Sequence, residues 1–321
     1  MKKQIIETAD FRWTYWPCEK TSSRTMIVAL GGASDRGPLF SAAVKTMHAY
    51  GCNAATFVPV IGGAAYDGWH DFPLEKIQEI ARWLLGHSST HVGIAGASTT
   101  SLVSLAAVSR IPEITLVLSF ATEDYNTEGI YVGKVKGGLG MSPAVGCSML
   151  SWQGKPVPYS PTGLSDEAFA AMMRKDAEGN MVNTLELCRY YESLPGFEEA
   201  LHPVEQAHAL ICAFGADTDV GCNSGDMVRR LEKRLQAAHY RYGMEMHVYP
   251  VCSHYQFPTT MVKKAFPLIS QFLFGKMWAI EKSHPKECIA AREDIEDVCR
   301  KAIAAWQPFE AVQVEVRGDL A

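Results

Sequence analysis

The sequence predicts an α/β fold: a mostly parallel central sheet with helices on both faces and a cap inserted after the middle strands. Three observations carry this. Short apolar runs alternate with amphipathic segments along most of the chain, the pattern of a parallel sheet covered on both sides. One stretch, His91 to Val108, starts as a short apolar run, breaks at Gly96-Ala-Ser-Thr-Thr100 and continues with apolar residues at helical spacing (Leu102, Leu105, Ala106). The alternation stops over 122–206 and then resumes. The 321 residues suit a single domain, 1–321, carrying that insertion.

The elements follow in order. Phe11-Arg-Trp-Thr-Tyr-Trp16 alternates aromatic and polar residues and reads as an edge strand. Thr25–Leu30 is a strand that runs into Gly31-Gly-Ala-Ser-Asp-Arg-Gly-Pro38. A helix over Leu39–Tyr50 ends at Gly51, and Ala54–Val60 is the next strand. Residues 61–71 form a Gly-rich loop, and Pro73–Leu85 is a helix closed by Gly86. Ile114–Phe120 is a buried strand. The insertion carries Gly137-Gly-Leu-Gly140, Pro156, Pro158 and Pro161, with one amphipathic segment at Asp166–Lys175. It lacks the apolar periodicity for a core of its own, and its place in the chain sets it over the carboxyl ends of the strands, where such sheets bind ligands. Beyond it come strand 207–214, helix 224–238, strand 244–249 and helix 260–273. An extra helix spans 287–306, with Ile289, Ile295, Val298 and Ile303 on its apolar face. The tail 311–316 alternates like a strand.

Several function classes are excluded. The net charge is −5 and no Lys/Arg-rich run occurs, which argues against nucleic acid as a partner. No apolar run reaches the length of a membrane span, and the two N-terminal lysines are not followed by a signal-peptide core. Nine scattered cysteines without a C-x-x-C pair suggest neither a zinc knuckle nor a redox motif, and fit free thiols in a reducing cytoplasm. The ten histidines show no metal spacing such as H-E-x-x-H. No cofactor and no metal are expected.

The chemistry centres on Gly96-Ala-Ser98-Thr-Thr100. A strand that turns sharply into a helix around a serine is the nucleophile elbow of α/β hydrolases, although Thr100 stands where the G-x-S-x-G form has its last glycine. The plainer alternative makes Ser98 an N-cap. Two acids follow the strand 207–214, in Gly215-Ala-Asp-Thr-Asp-Val-Gly221, and His254 follows the strand 244–249, which is the hydrolase order Ser…Asp…His. Ser98 would attack, His254 would take and return its proton, and the acid would orient the imidazole. Asp217 fits the D-x-x-V register with Val220, and Asp219 is the alternative. The N–H of Thr99 and one from the Gly32–Ala33 loop, taken as Ala33, would hold the oxyanion. Ser148, in Gly146-Cys-Ser-Met-Leu150, is a false elbow.

The segments Val92–Ser98, Gly215–Val220 and Tyr249–Tyr255 resemble the C-terminal catalytic domain of acyl-CoA thioesterases and bile-acid-CoA:amino-acid N-acyltransferases. His202-Pro-Val-Glu-Gln-Ala207 is similar to the segment before the acid-bearing strand there, and Lys155–Tyr159 is loosely alike. The likeness covers about residues 24–275. It implies an ester or thioester hydrolase carried by Ser98, Asp217 and His254. Thr99-Thr100 replaces the residues that usually follow the nucleophile, and the family's N-terminal β-sandwich has no counterpart. Acyltransferase members use cysteine, so serine at 98 favours hydrolysis.

The expected function is hydrolysis of an acyl ester or thioester through an acyl-enzyme, with a small-molecule acyl substrate. An acyltransferase and a non-catalytic binding protein are the alternatives. Apolar cap residues, among them Tyr131, Met141, Met149, Phe169 and above all Trp152, are the expected wall of the acyl pocket.

Overall fold

A computed structural model describes residues 3–8, 11–29, 38–57, 68–87, 89–132, 141–172 and 175–309. Eight strands form the central sheet: β1 (Gln4–Glu7), β2 (Arg12–Trp16), β3 (Arg24–Ala29), β4 (Asn53–Phe57), β5 (His91–Ala97), β6 (Leu116–Phe120), β7 (Leu210–Ala216) and β8 (Met244–Tyr249). Their spatial order is β1-β2-β4-β3-β5-β6-β7-β8. β2 runs antiparallel to both its neighbours, and β3 through β8 are parallel. The central strands read as unbroken apolar runs because both faces are covered: β4 and β6 are buried at every position. The aromatic run at 12–16 is therefore not the edge. It pairs β4 on one side and β1 on the other, and β1 is the short, exposed edge strand.

Each face has its own core. Helices Glu75–His87, Thr99–Val108 and Ser224–Ala237 bury Ile77, Leu84, Leu102, Leu105, Val228 and Leu231 against one side. Helices Pro38–Ala49, Thr259–Ala265 and Pro285–Ala305 bury Phe40, Met47, Met261, Ile295 and Ile303 against the other. The expected helix 260–273 is two helices, Thr259–Ala265 and Ser270–Met277. Pro267 separates them, because it has no N–H to continue the ladder and its ring clashes with the preceding turn. On the C-terminal helix the buried face is set by Cys288, Ala291, Ile295 and Cys299, whereas Ile289 is 40% exposed. No described helix is long and apolar enough to cross a membrane.

The stretch between β6 and β7 is structured more richly than its sequence pattern suggests. Strands Glu128–Val132 and Met141–Ser148 pair antiparallel, and Gly68–Trp69 joins them as a third strand. Leu150–Trp152 pairs with Lys155–Pro156 and, in parallel, with Phe72–Pro73. Helices Asp166–Met172, Leu185–Ser193 and Phe197–Ala200 follow. Buried polar groups fasten this region. Asn126 Nδ2 donates to Ser148 Oγ and to the carbonyls of Val157 and Pro158. The Glu128 carboxylate accepts from the N–H groups of Gly146, Thr162 and Gly163. The predicted strand at 311–316 and the ends of the strands at Leu30 and Val58–Val60 lie outside the described residues, as does Ala33.

Candidate active site

The elbow forms where β5 delivers Ser98 into the helix Thr99–Val108. Ser98 has φ +54° and ψ −130°, a conformation that L-residues hold only when their surroundings impose it. Ser98 N–H donates to the Phe120 carbonyl at 2.9 Å, tying the turn to the end of β6. Gly96 is required by close approach, since a Cβ there would lie 2.0 Å from the Thr100 carbonyl oxygen. Thr100 fills the place of the last glycine with a use of its own. Its buried hydroxyl bonds both the N–H and the C=O of Ala97, each at 2.9 Å, and so closes the turn. Ser98 stands at the N-cap position of its helix, but its side chain makes no cap bond there. Ser148 is buried and bonds the carbonyls of Leu150 and Val157, a structural role.

His254 is presented by the loop after β8. Its Nδ1 lies 2.9 Å from Asp219 Oδ1 and 3.1 Å from Oδ2. Asp219 is 2% exposed and also accepts from Gly221 N–H (2.9 Å), Ser224 Oγ (2.7 Å) and Gln256 Nε2 (3.0 Å). That many donors hold the carboxylate in one orientation, facing the histidine. Gly221 lets this loop approach the imidazole, as a Cβ there would meet His254 Nδ1 at 2.6 Å. Trp278 flanks the ring, centroids 5.5 Å apart.

The choice of Asp217 is corrected by this geometry. β7 runs to Ala216, so Asp217 leaves the sheet at its rim and pairs with Arg229 at 2.7 Å, with its side chain 43% exposed. Asp219, two residues on, turns inward to the histidine.

Ser98, Thr99 and His254 line one cavity of about 200 Å³. Its apolar wall includes Ile130, Met141, Met149, Phe169, Leu187 and Tyr191. Met141, Met149 and Phe169 are where the sequence placed them. Trp152 is not: it packs, half-buried, against the core beneath the small sheet it shares with Phe72–Pro73. Thr99 begins the elbow helix at the cavity, so the positive end of the helix dipole faces the same space.

Two side chains at the site escaped the sequence reading. Glu123 Oε1 accepts from Ser98 Oγ at 3.1 Å. Burial pushes its carboxyl up to about 7, and Asp219 and Asp124 add to this against the downward pull of His254 and the Ser98 hydrogen bond. For His254, burial works downward, but the Asp219 carboxylate and then Glu123 carry it above the ordinary 6.5. Cys222 donates from Sγ to Asp219 Oδ2 at 3.5 Å and lies 3.9 Å from His254 Nδ1. Asp219, Cys222 and His254 form the one group of possible ligand atoms within 4.8 Å of one another among the described residues. These groups bond one another, and burial with the adjacent Asp219 pushes the Cys222 thiol up.

No protein-family model matches the chain, and no curated protein matches it either. Solved structures do. A protein described as a candidate dienelactone hydrolase from Klebsiella pneumoniae aligns with TM-score 0.50 and 9% identity, over 95% of this chain and 99% of that one. An alpha-beta serine hydrolase homologue from Coxiella burnetii aligns with TM-score 0.44 and 12% identity, over 88% and 94%. The esterase Pf2001 of Pyrococcus furiosus gives TM-score 0.44 and 14% identity, over 86% and 88%. At these identities the likeness speaks to architecture. With the strand order and the elbow described above, the likeness to the Klebsiella protein shows that the chain has the α/β-hydrolase fold.

Proposed function

We propose that this protein is a serine hydrolase that cleaves a small carboxylic ester through an acyl-enzyme on Ser98. His254 serves as the base and Asp219 as the acid that orients it. The observation that carries this reading is the buried Asp219–His254 pair opening onto the cavity that holds a serine at positive φ. Asp219 fixes the proton on Nδ1 and leaves Nε2 free to accept the proton of Ser98 as Oγ adds to the acyl carbon. The protonated imidazole then gives that proton to the departing oxygen, and water repeats the sequence to release the acid. The Thr99 N–H at the helix start supports an oxyanion site, with the second donor expected from Ala33.

The lining favours an uncharged acyl group. Its ionisable side chains include Glu123, Glu128 and His254, and among the described residues no Lys or Arg lines it. A polyanionic leaving group such as CoA finds no counter-charge among those residues, which supports an ester over the thioester. Serine rather than cysteine at 98 supports water over an amine as acceptor. All nine cysteines are free thiols, which supports a reducing compartment.

The test is labelling with a fluorophosphonate. Wild type should be labelled at Ser98. Ser98→Ala should lose both the label and about 10³-fold or more of its turnover on a p-nitrophenyl ester, with its circular dichroism unchanged. Labelling that persists on another serine in the variant overturns the assignment.

A further inference from the structure

Glu123 is built into the site. Its backbone N–H donates to Ser101 Oγ at 2.8 Å, and Ser101 sits one turn into the elbow helix. Ala121, two residues before Glu123, has φ +44°, so two non-glycine residues in the left-handed region stand at the ends of adjacent strands β5 and β6. Strain of this kind persists where the surrounding structure fixes it, and it gathers at functional sites. Here it aims a carboxyl at the serine oxygen.

Protonated His254 is the cation that acts on that carboxyl, and the other groups around it supply none. Asp124 is matched by a bidentate pair with Arg230 at 2.6 and 2.8 Å. Asp219 is committed to His254. Tyr125, Cys188, Tyr191 and Cys222 are neutral groups held so by burial. Glu128 lines the same cavity but is saturated by the N–H groups around it. No Lys or Arg lies within ion-pair distance of Glu123 among the described residues.

The charge requirements of the reaction select one protonation state. An ionised Glu123 accepts the hydrogen of Ser98, turning it away from His254, and it repels the negative charge that develops on the acyl oxygen. A neutral Glu123 donates its own O–H to Ser98 Oγ, which leaves the serine hydrogen free for His254. We propose, on the basis of the Ser98–His254–Asp219 reading, that Glu123 is a further catalytic residue that works as a neutral acid and holds the nucleophile in its reactive orientation. The proton accounting is simple. The Ser98 proton passes to His254 Nε2 as the Oγ–carbon bond forms. It passes on to the leaving oxygen as the old ester bond breaks, and Glu123 keeps its proton throughout.

The working enzyme then needs a proton on Glu123 and none on His254 Nε2. Glu123 is pushed up to about 7, His254 is carried above its ordinary value, and each charge acts on the other, so kcat/KM should follow a bell. The experiment measures kcat/KM for p-nitrophenyl acetate from about pH 5 to 10 on wild type and Glu123→Gln. Glutamine can donate an N–H to Ser98 Oγ but cannot ionise. Wild type should fall on the alkaline side, and Glu123→Gln should instead reach a plateau, exceeding wild type about tenfold or more at pH 9. An alkaline fall that survives the substitution overturns the proposal. If Glu123→Gln does not fold, the wild-type rate of fluorophosphonate inactivation decides: it should decline above about pH 7, and a rate that rises or stays level there overturns the proposal. Failure of the triad reading looks different, because Ser98 would then not be the labelled residue at any pH.

Discussion

Removing the ionisable carboxyl of Glu123 should also change stability, in a way that depends on pH and not on substrate. A carboxyl with an ordinary value of 4.5 is pushed up to about 7 in the folded chain, chiefly by burial. The sign follows directly. Between these values the unfolded chain has released the proton and the folded chain still holds it, so folding loses stability as pH rises from about 4.5 to 7. Above that window the loss is constant. At about 1.4 kcal/mol for each tenfold change in proton affinity, it amounts to about 3 kcal/mol. Glutamine cannot ionise in either state, so Glu123→Gln escapes this loss. Urea unfolding of both proteins at several pH values is the assay. The stability of the variant relative to wild type should rise by about 2–3 kcal/mol between pH 4.5 and 8, all within that window. Titrating groups that do not interact with Glu123 are common to both proteins and cancel. A relative stability that stays flat across the window would refute the claim that the folded chain withholds ionisation at Glu123.

Two further outcomes test the surroundings. Asp219→Asn should reduce kcat on a p-nitrophenyl ester by about 10³-fold or more, since the amide favours the wrong imidazole tautomer, whereas Asp217→Asn should stay within about threefold of wild type. The reverse ranking would return the role to Asp217. Arg292→Met should destabilise the fold by about 3–5 kcal/mol in urea, because it strands the Glu281 carboxylate, which is 1% exposed and bonded by Ser253 beside His254. A change below about 1 kcal/mol would mean that water reaches Glu281.

Much of the fold was legible because its signals are local. The parallel strands are continuous apolar runs, and the elbow shows in five consecutive residues from Gly96 to Thr100. The order serine, acid, histidine is a property of the chain itself. What was missed depends on where a strand stops or what lies across space. Counting from Gly215 to Val220 selected Asp217, but β7 extends to Ala216 and throws that side chain outward. Glu123 follows Ala121, whose left-handed turn no propensity rule assigns to alanine. Trp152 was placed by its chemistry alone, as a large apolar residue in the insertion. Its position is decided by pairing with Phe72–Pro73, some eighty residues upstream. Two further pairings were invisible for the same reason, since Gly68–Trp69 and Phe72–Pro73 meet cap strands far away in sequence.

That pairing bears on how the molecule can be re-engineered. Gly68–Trp69 and Phe72–Pro73 belong by sequence to the first half of the chain, yet each completes a small sheet with the insertion. The covering region is thus stitched together from two places, and a transplant cut at 122 and 206 would leave both sheets one strand short. Grafting it onto another scaffold would require carrying residues 68–73 along. For the same reason, recombination between relatives should break this fold least where both stitches come from a single parent.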